Sequence, residues 1–342
     1  MLINITAAKC IGIDATPVTV EVNIDKGIGI HLVGLADMAV KESLMRTITA
    51  LQSLGFHIPG KKIVINLAPA DLRKNGSGYD LPIALGIIAS SDQKDLPGLG
   101  KYIIMGELGL DGSVREVPGS LPYAELAINN GFEGCILPLQ SALEAVEYRQ
   151  TRIYGVTCIP EALRILEERE DCDDLLVWNR PEYLERLELA RQAKARPDYM
   201  DFADIIGQEG AKRGAEIAVA GGHNMIMVGP PGSGKSSLSK ALAGILPPMT
   251  LQESLVTSKI YSIAGKGQQL GLIRQRPFRA PHYSASIAAM VGGGNGENLI
   301  PGEVSLAHNG VLFLDEFANA PKSVIEALRS PMEDRCVGIS RL

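Results

Sequence analysis

Residues Gly229–Ser236 read GPPGSGKS and match the pattern G-x-x-x-x-G-K-[ST]. Gly229, Gly232 and Gly234 let a backbone curl closely around phosphate oxygens and turn its N–H groups inward. Pro230, Pro231 and Ser233 complete the loop. A helix expected to start at Lys235 and run on through Ser236 and Ser237 adds the positive end of its dipole. Lys235 would place a mobile cation against the β- and γ-phosphates of ATP, and the Ser236 hydroxyl would ligate Mg²⁺. Further along, the apolar run Val311–Leu314 (VLFL) ends in Asp315-Glu316. Asp315 would hold the Mg²⁺ directly or through water, and Glu316 would orient and deprotonate the attacking water. An apolar run ending in two acids is a weak signal alone; paired with the loop it becomes a strong one. The chemistry expected is hydrolysis of ATP.

These groups need a sheet to hold them. Met225–Val228 (MIMV) is an expected strand leading into the loop, and Ser237–Leu246 has a helical pattern. Strands that end on glycine turns or paired acids put chemistry at the carboxyl edge of a sheet, where α/β folds bind ligands. Between the two motifs, Ser254–Gly296 contains no Asp or Glu but carries Lys259, Lys266, Arg274, Arg276 and Arg279. Tyr261, Phe278, His282 and Tyr283 interleave with these cations. Such a surface suits phosphate tracking and base stacking on single strands, with Lys266, Arg274, Arg276 and Arg279 as candidate DNA contacts. The plainer alternative is a basic loop that pairs with acids of a neighbouring subunit or is simply solvated. Gly292–Gly296 reads as a flexible turn, since no lysine or helix start follows it. The five histidines show no metal-ligand spacing.

The first segment mixes β-branched runs with helices. Val18–Ile24 alternates as a half-buried strand does, and Lys62–Leu67 is a second strand. Met38–Leu54 has helical spacing and stops at Gly55, Leu81–Ile88 reads as a buried helix, and Ile103–Glu107 and Gly134–Leu137 as short strands. From Glu167 to Asp174 the chain is dominated by acids, too charged for a core. Pro181–Ala195 then reads as a solvated linker helix. The 342 residues hold 46% apolar side chains and a net charge of −6, which excludes a mainly disordered chain and any global nucleic-acid charge signal. No apolar stretch reaches the length of a membrane span, and the start lacks the marks of a secretory signal. Five scattered cysteines fit reduced thiols rather than disulfides or zinc. A cytoplasmic protein with no membrane partner is the expectation.

Several blocks carry a family resemblance. Gly221–Ser236 (GGHNMIMVGPPGSGKS), Arg276–Ser286 (RPFRAPHYSAS), Pro301–Glu316 (PGEVSLAHNGVLFLDE) and Ser323–Asp334 (SVIEALRSPMED) resemble the magnesium-chelatase-like branch of the AAA+ ATPases and, within it, the bacterial ComM/YifB family. His31–Ser43 and Arg73–Leu85 resemble the same family's amino-terminal domain. The fold implied is α/β: a Lon-protease-like α+β domain over 1–165, a linker over 166–200, and a P-loop AAA+ domain over 201–342. The resemblance implies a hexameric ATPase with nucleotide at subunit interfaces and Ile205-Ile206-Gly207-Gln208, Ile206 and Gly207 above all, lining the adenine pocket. It further implies ATP-driven DNA branch migration during uptake and recombination. Tyr283 departs from the second histidine that family members commonly carry there.

Beside a pure assembly module, in which nucleotide binding only orders subunits, two alternatives stay in view. One is a chelatase motor subunit driving Mg²⁺ into a porphyrin, disfavoured by the Lon-like domain fused ahead of the loop. The other is a Lon-type peptidase, which needs a serine and a lysine base within reach. The family's serine motif aligns with Lys74–Asp80, placing Gly78 near the nucleophile position and Ser77 one residue off, and its lysine position falls near Pro122. AAA+ relatives also continue into a sensor-one strand, an arginine finger and a helical lid. Without them the chain is expected to be a fragment that leaves exposed sheet edges and binds ATP but scarcely hydrolyses it.

Overall fold

The computed structural model describes residues 2–34, 38–74, 76–192, 200–267, 270–295 and 298–337. The chain forms two compact units. The first comprises Met1–Ala190 and Tyr261–Leu272, and the second Arg191–Ile260 and Ile273–Leu342.

A seven-stranded mixed sheet centres the first unit. Its strands are β1 (Leu2–Ile11), β2 (Asp14–Asp25), β3 (Gly29–Val33), β4 (Lys62–Ala68), β5 (Tyr102–Ile104), β6 (Gly134–Pro138) and β7 (Arg152–Val156), in the order β3-β4-β2-β1-β5-β6-β7. β1 and β2 pair antiparallel along their whole length, from Leu2↔Asn23 to Ile11↔Asp14. The alternation expected for β2 is present: Val18, Val20 and Val22 are fully buried, as are Ile63, Ile65 and Leu67 on β4. Strands β1, β5, β6 and β7 run parallel to their neighbours in that half of the sheet.

Two helices fit the sequence pattern closely. The first, α1 (Met38–Ser53), stops before Gly55, whose φ of +82° suits only glycine well. The second, α2 (Asp80–Ser90), has every residue buried. Gly86 lets it lie against the sheet, since a Cβ there would come 2.5 Å from Val22 Cγ2. Ile103–Glu107 divides instead: Tyr102–Ile104 joins the central sheet and Glu107–Leu108 pairs with Val114–Arg115 in a separate hairpin.

The stretch from 166 to 190, expected as a linker, packs onto the first unit. Its acids are matched by neighbouring cations: Lys94 with Glu167 at 2.7 Å, Lys101 with Glu168 at 2.7 Å, and Arg164 with Glu170 at 2.7 Å and Asp174 at 3.1 Å. Beyond them Trp178 Nε1 donates to the Val146 carbonyl, and Arg180 pairs with Glu161 at 3.0 Å. The helix that follows, Pro181–Gln192, buries Tyr183 and exposes Leu184. Residues 193–195 of the expected helix lie outside the described residues. All five cysteines are free, and burial raises the thiol pKa of Cys10 to about 11.

In the second unit α3 (Glu209–Gly221) precedes the glycine loop, α4 (Lys235–Ile245) follows it, and α5 (Leu251–Ile263) comes next, its last three residues, from Tyr261 on, belonging to the first unit. Phe278–Arg279 pairs parallel with Val311–Leu312, and the ladder extends through Phe313 N–H to the Arg279 carbonyl at 2.8 Å. The expected strand Met225–Val228 is not formed. Ile226 is 77% and Val228 93% exposed, and among the described residues no strand pairs with them. An apolar run becomes a strand only when a neighbour takes up its backbone groups. Gly292–Asn295, expected as a turn, is instead one arm of a hairpin with Asn298–Pro301, while Gly296 lies outside the described residues.

Candidate nucleotide site

The glycine loop is shaped by backbone geometry. Gly232 and Gly234 have φ of +78° and +84°, the left-handed region in which L side chains are strained. Gly234 is the N-cap of α4, so the chain turns from loop to helix at Lys235 without a side chain in the way. Leu238, Ala241 and Ala243 bury the inner face of α4 and fix its direction. The first-turn N–H groups are thereby aimed at the loop, with Ser236 and Ser237 in that turn.

Lys235 Nζ donates to the carbonyls of Gly229 at 2.9 Å and Pro230 at 3.0 Å, and lies 3.4 Å from Ser233 Oγ. The ammonium thus arches back over the loop that its own backbone forms. Ser236 Oγ donates to Asp315 Oδ2 at 3.2 Å. This contact, across 79 positions of sequence, brings the tip of the Val311–Leu312 strand to the start of α4. Asp315 Oδ1 accepts from the Glu316 N–H at 2.9 Å, so both carboxylate oxygens are oriented. Glu316 sits at φ +49°, an uncommon conformation for a side-chain-bearing residue, and Asn319 Nδ2 donates to its Oε2 at 3.2 Å.

The fit to a metal nucleotide can be tested on these oxygens. Two cis ligands of an octahedral Mg²⁺ at about 2.1 Å stand about 3 Å apart. Ser236 Oγ and Asp315 Oδ2 stand 3.2 Å apart, so they could take adjacent positions on one ion. Such an ion completes its shell with phosphate oxygens and water, and one or two protein ligands suffice.

The remaining expected residues divide. Ile206 is 97% exposed, and Gly207 next to it has φ +72°. Gln208, the last residue of the same motif, donates its Nε2 to the Ser233 carbonyl at 3.2 Å and so ties this segment to the loop. Tyr283 stacks on His282 with centroids 4.3 Å apart, and both border an apolar crevice with Asp315 and Phe317.

The basic stretch departs furthest from expectation. Arg276 is bound within its own unit: Nε donates to the Pro247 carbonyl at 2.6 Å, Nη1 to the Asn309 carbonyl at 2.8 Å, and Nη2 to Glu253 at 3.1 Å. Arg279 makes a two-pronged pair with Glu303 at 2.6 and 2.7 Å. These two guanidinium groups pair with acids of their own unit, Arg276 with the first turn of α5 and Arg279, from its strand, with the start of the Glu303–Leu306 helix. Lys266 and Arg274 are exposed. Arg276→Ala leaves several oriented carbonyls without a donor, and a lower thermal midpoint is expected for the second unit. Lys266→Ala is expected to leave that midpoint unchanged; differential scanning calorimetry of both variants checks the contrast.

In the first unit, Ser77 Oγ donates to the Glu107 carboxylate rather than to an amine. Pro122 is buried in the first turn of the Ser120–Asn129 helix, and a Cβ at Gly78 would press within 2.9 Å of Met105 Cε. Proline offers no base at that position.

Comparison with known proteins matches both parts of the chain. The family model described as magnesium chelatase, subunit ChlI, covers residues 201–342, and a second, subunit ChlI of Mg-chelatase, covers residues 20–141. YifB of Salmonella typhimurium is 41% identical over 332 residues, covering 97% of this chain and 62% of that protein. The competence protein ComM of Haemophilus influenzae is 41% identical over 331 residues, covering 96% and 63%. The chain belongs to the magnesium-chelatase-like ComM/YifB family. It spans 62–63% of the length of these two relatives. An archaeal Lon protease of Halobacterium salinarum is 37% identical over 75 residues, 19% of this chain. The α/β architecture agrees with an AAA+-like member of this family. Among the described residues no helix is long and apolar enough to cross a membrane.

Proposed function

We propose that this chain is the ATP-binding AAA+ motor module of a ComM-like machine that migrates DNA branches during uptake and recombination. The observation that carries the reading is the approach of Ser236 to Asp315, which joins the glycine loop to the acid-tipped strand. In this reading Gly229–Ser237 hold the phosphates of ATP, and Ile206 and Gly207 border its base. Ser236 and Asp315 share Mg²⁺, which would draw charge from the phosphates. Glu316, held by Asn319, takes the proton of the attacking water, and Lys235 meets the charge that develops on the γ-phosphate.

A homo-hexamer with nucleotide at subunit interfaces follows from the family and belongs to this proposal, as do DNA as partner and a cytoplasmic location. The name of the matching model favours a chelatase motor as the second reading. The first unit, fused ahead of the loop and read as Lon-protease-like, speaks against a porphyrin substrate, and part of the chain is similar to an archaeal Lon protease.

DNA binding is tested by measuring affinity for single strands with ATP across a salt series. Lys266→Ala and Arg274→Ala are each expected to lower the log–log salt slope by about 1 if that cation meets a phosphate. Slopes identical to the parent protein in both variants would remove DNA from this surface. Junction migration that persists after Lys235→Ala would remove the motor reading altogether.

A further inference from the structure

Residues Tyr261–Leu272 belong to the first unit, although the residues on either side of them belong to the second. The contacts that hold them there converge on one side chain. Ser262 Oγ donates to Glu144 Oε2 at 2.7 Å, and Ser120 Oγ donates to the same oxygen at 2.7 Å. Both serines are buried, and their hydroxyl oxygens are 3.4 Å apart. The Gly119 N–H, the free donor at the start of the Ser120–Asn129 helix, finds the Ser262 carbonyl at 3.3 Å. That helix also turns the positive end of its dipole toward the Glu144 carboxylate. Further along, the Gly271 N–H donates to the Leu143 carbonyl at 3.0 Å. Gly267 closes the arrangement, since a Cβ there would fall 2.2 Å from Glu144 Oε1.

We propose that residues 261–267 are a strap and that Glu144 is its latch: two hydroxyls on one carboxylate oxygen fasten the segment that carries Lys266 to the first unit. The latch is a conformational device. While it is closed, the segment is held on the first unit; when Glu144 lets go, residues 261–267 become free to exchange their amides and to meet a protease. Three local requirements meet here: small hydroxyls at 120 and 262, a carboxylate at 144, and no side chain at 267. The proposal is independent of the nucleotide reading, because none of these groups belongs to the glycine loop.

Hydrogen exchange of the whole chain, followed by mass spectrometry, tests it. Ser262→Ala removes one charge-assisted donor and is expected to speed exchange over residues 261–267 about tenfold. Glu144→Ala removes both and is expected to speed it further, with faster tryptic cleavage after Lys266. Gly267→Ala should do the same by displacing the carboxylate, without deleting any polar group. In all three, the amides of the buried helix Asp80–Ser90 keep their parent protection. The latch is refuted if exchange over 261–267 matches the parent in every variant. It is equally refuted if Asp80–Ser90 accelerates in step with the segment, for the residues would then support the whole unit rather than fasten a strap.

Discussion

Lys235→Ala is expected to weaken ATP binding by about 30- to 100-fold, measured by titration calorimetry in the presence of Mg²⁺. The ammonium makes hydrogen bonds to two loop carbonyls and lies close to one hydroxyl, all within reach of a phosphate bound in the loop. A charge-assisted hydrogen bond contributes about 1.5–3 kcal/mol, and alanine removes it along with the charge. Ser236→Ala should behave differently. It keeps the cation and loses one oxygen of the Ser236–Asp315 pair, so the loss should appear mainly in the Mg²⁺ dependence of binding. An affinity in Lys235→Ala within threefold of the parent would mean that triphosphate does not bind here.

At pH 7 Arg46→Ala is expected to lower the stability of the first unit by about 1–3 kcal/mol, because the buried Asp80 carboxylate must then go unpaired or take up a proton. Asp80 has no solvent-accessible side-chain area; Arg46 Nε reaches its Oδ2 at 3.0 Å, and the Leu108 N–H donates to the same oxygen at 3.2 Å. Burial outweighs these donors and raises the Asp80 pKa to about 6, from an ordinary value of 3.8. Between pH 4 and 6 the folded chain therefore holds a proton on Asp80 that the unfolded chain has released. This group's contribution to stability is full below pH 4 and is lost as pH rises to about 6. A pKa higher by about 2 in the folded chain than in the unfolded one corresponds to about 3 kcal/mol. Urea titrations at pH 4.5 and 7 should show this fall in the parent and not in Asp80→Asn. The double variant Arg46→Ala, Asp80→Asn should recover part of the loss, since no charge is then left stranded.

Much of this was legible in the sequence because the signals are local. The alternation of Val18, Val20 and Val22 depends only on strand geometry, and the unbroken burial of Asp80–Ser90 follows from a helix with no polar face inside. The glycine loop is equally local: left-handed φ at Gly232 and Gly234 must be met by glycine wherever the chain goes. What was not legible depends on distant partners. The acid-free run looked like a cationic surface, yet Glu253 stands immediately before it and Glu303 shortly after, and these acids hold Arg276 and Arg279. Composition within a window does not register a partner just beyond its edge. Met225–Val228 failed for a related reason, since a strand is a property of two segments and sequence shows only one of them. The acidic block at 167–174 read as too charged for a core, and most of it is exposed; its pairing with Lys94 and Lys101 depends on residues that the fold brings back to it.

The composite make-up of the first unit has a consequence for biosynthesis. A ribosome finishes Ala190 long before it reaches Tyr261, and translation at about 5–20 residues per second puts roughly 4–16 s between Ala190 and Leu272. Through that interval Glu144 and Ser120 wait without Ser262, and the nascent unit is open at the place where the strap will lie. A chain released early, or paused within the glycine loop, would therefore expose a half-made socket to chaperones and proteases while the sheet behind it is already complete.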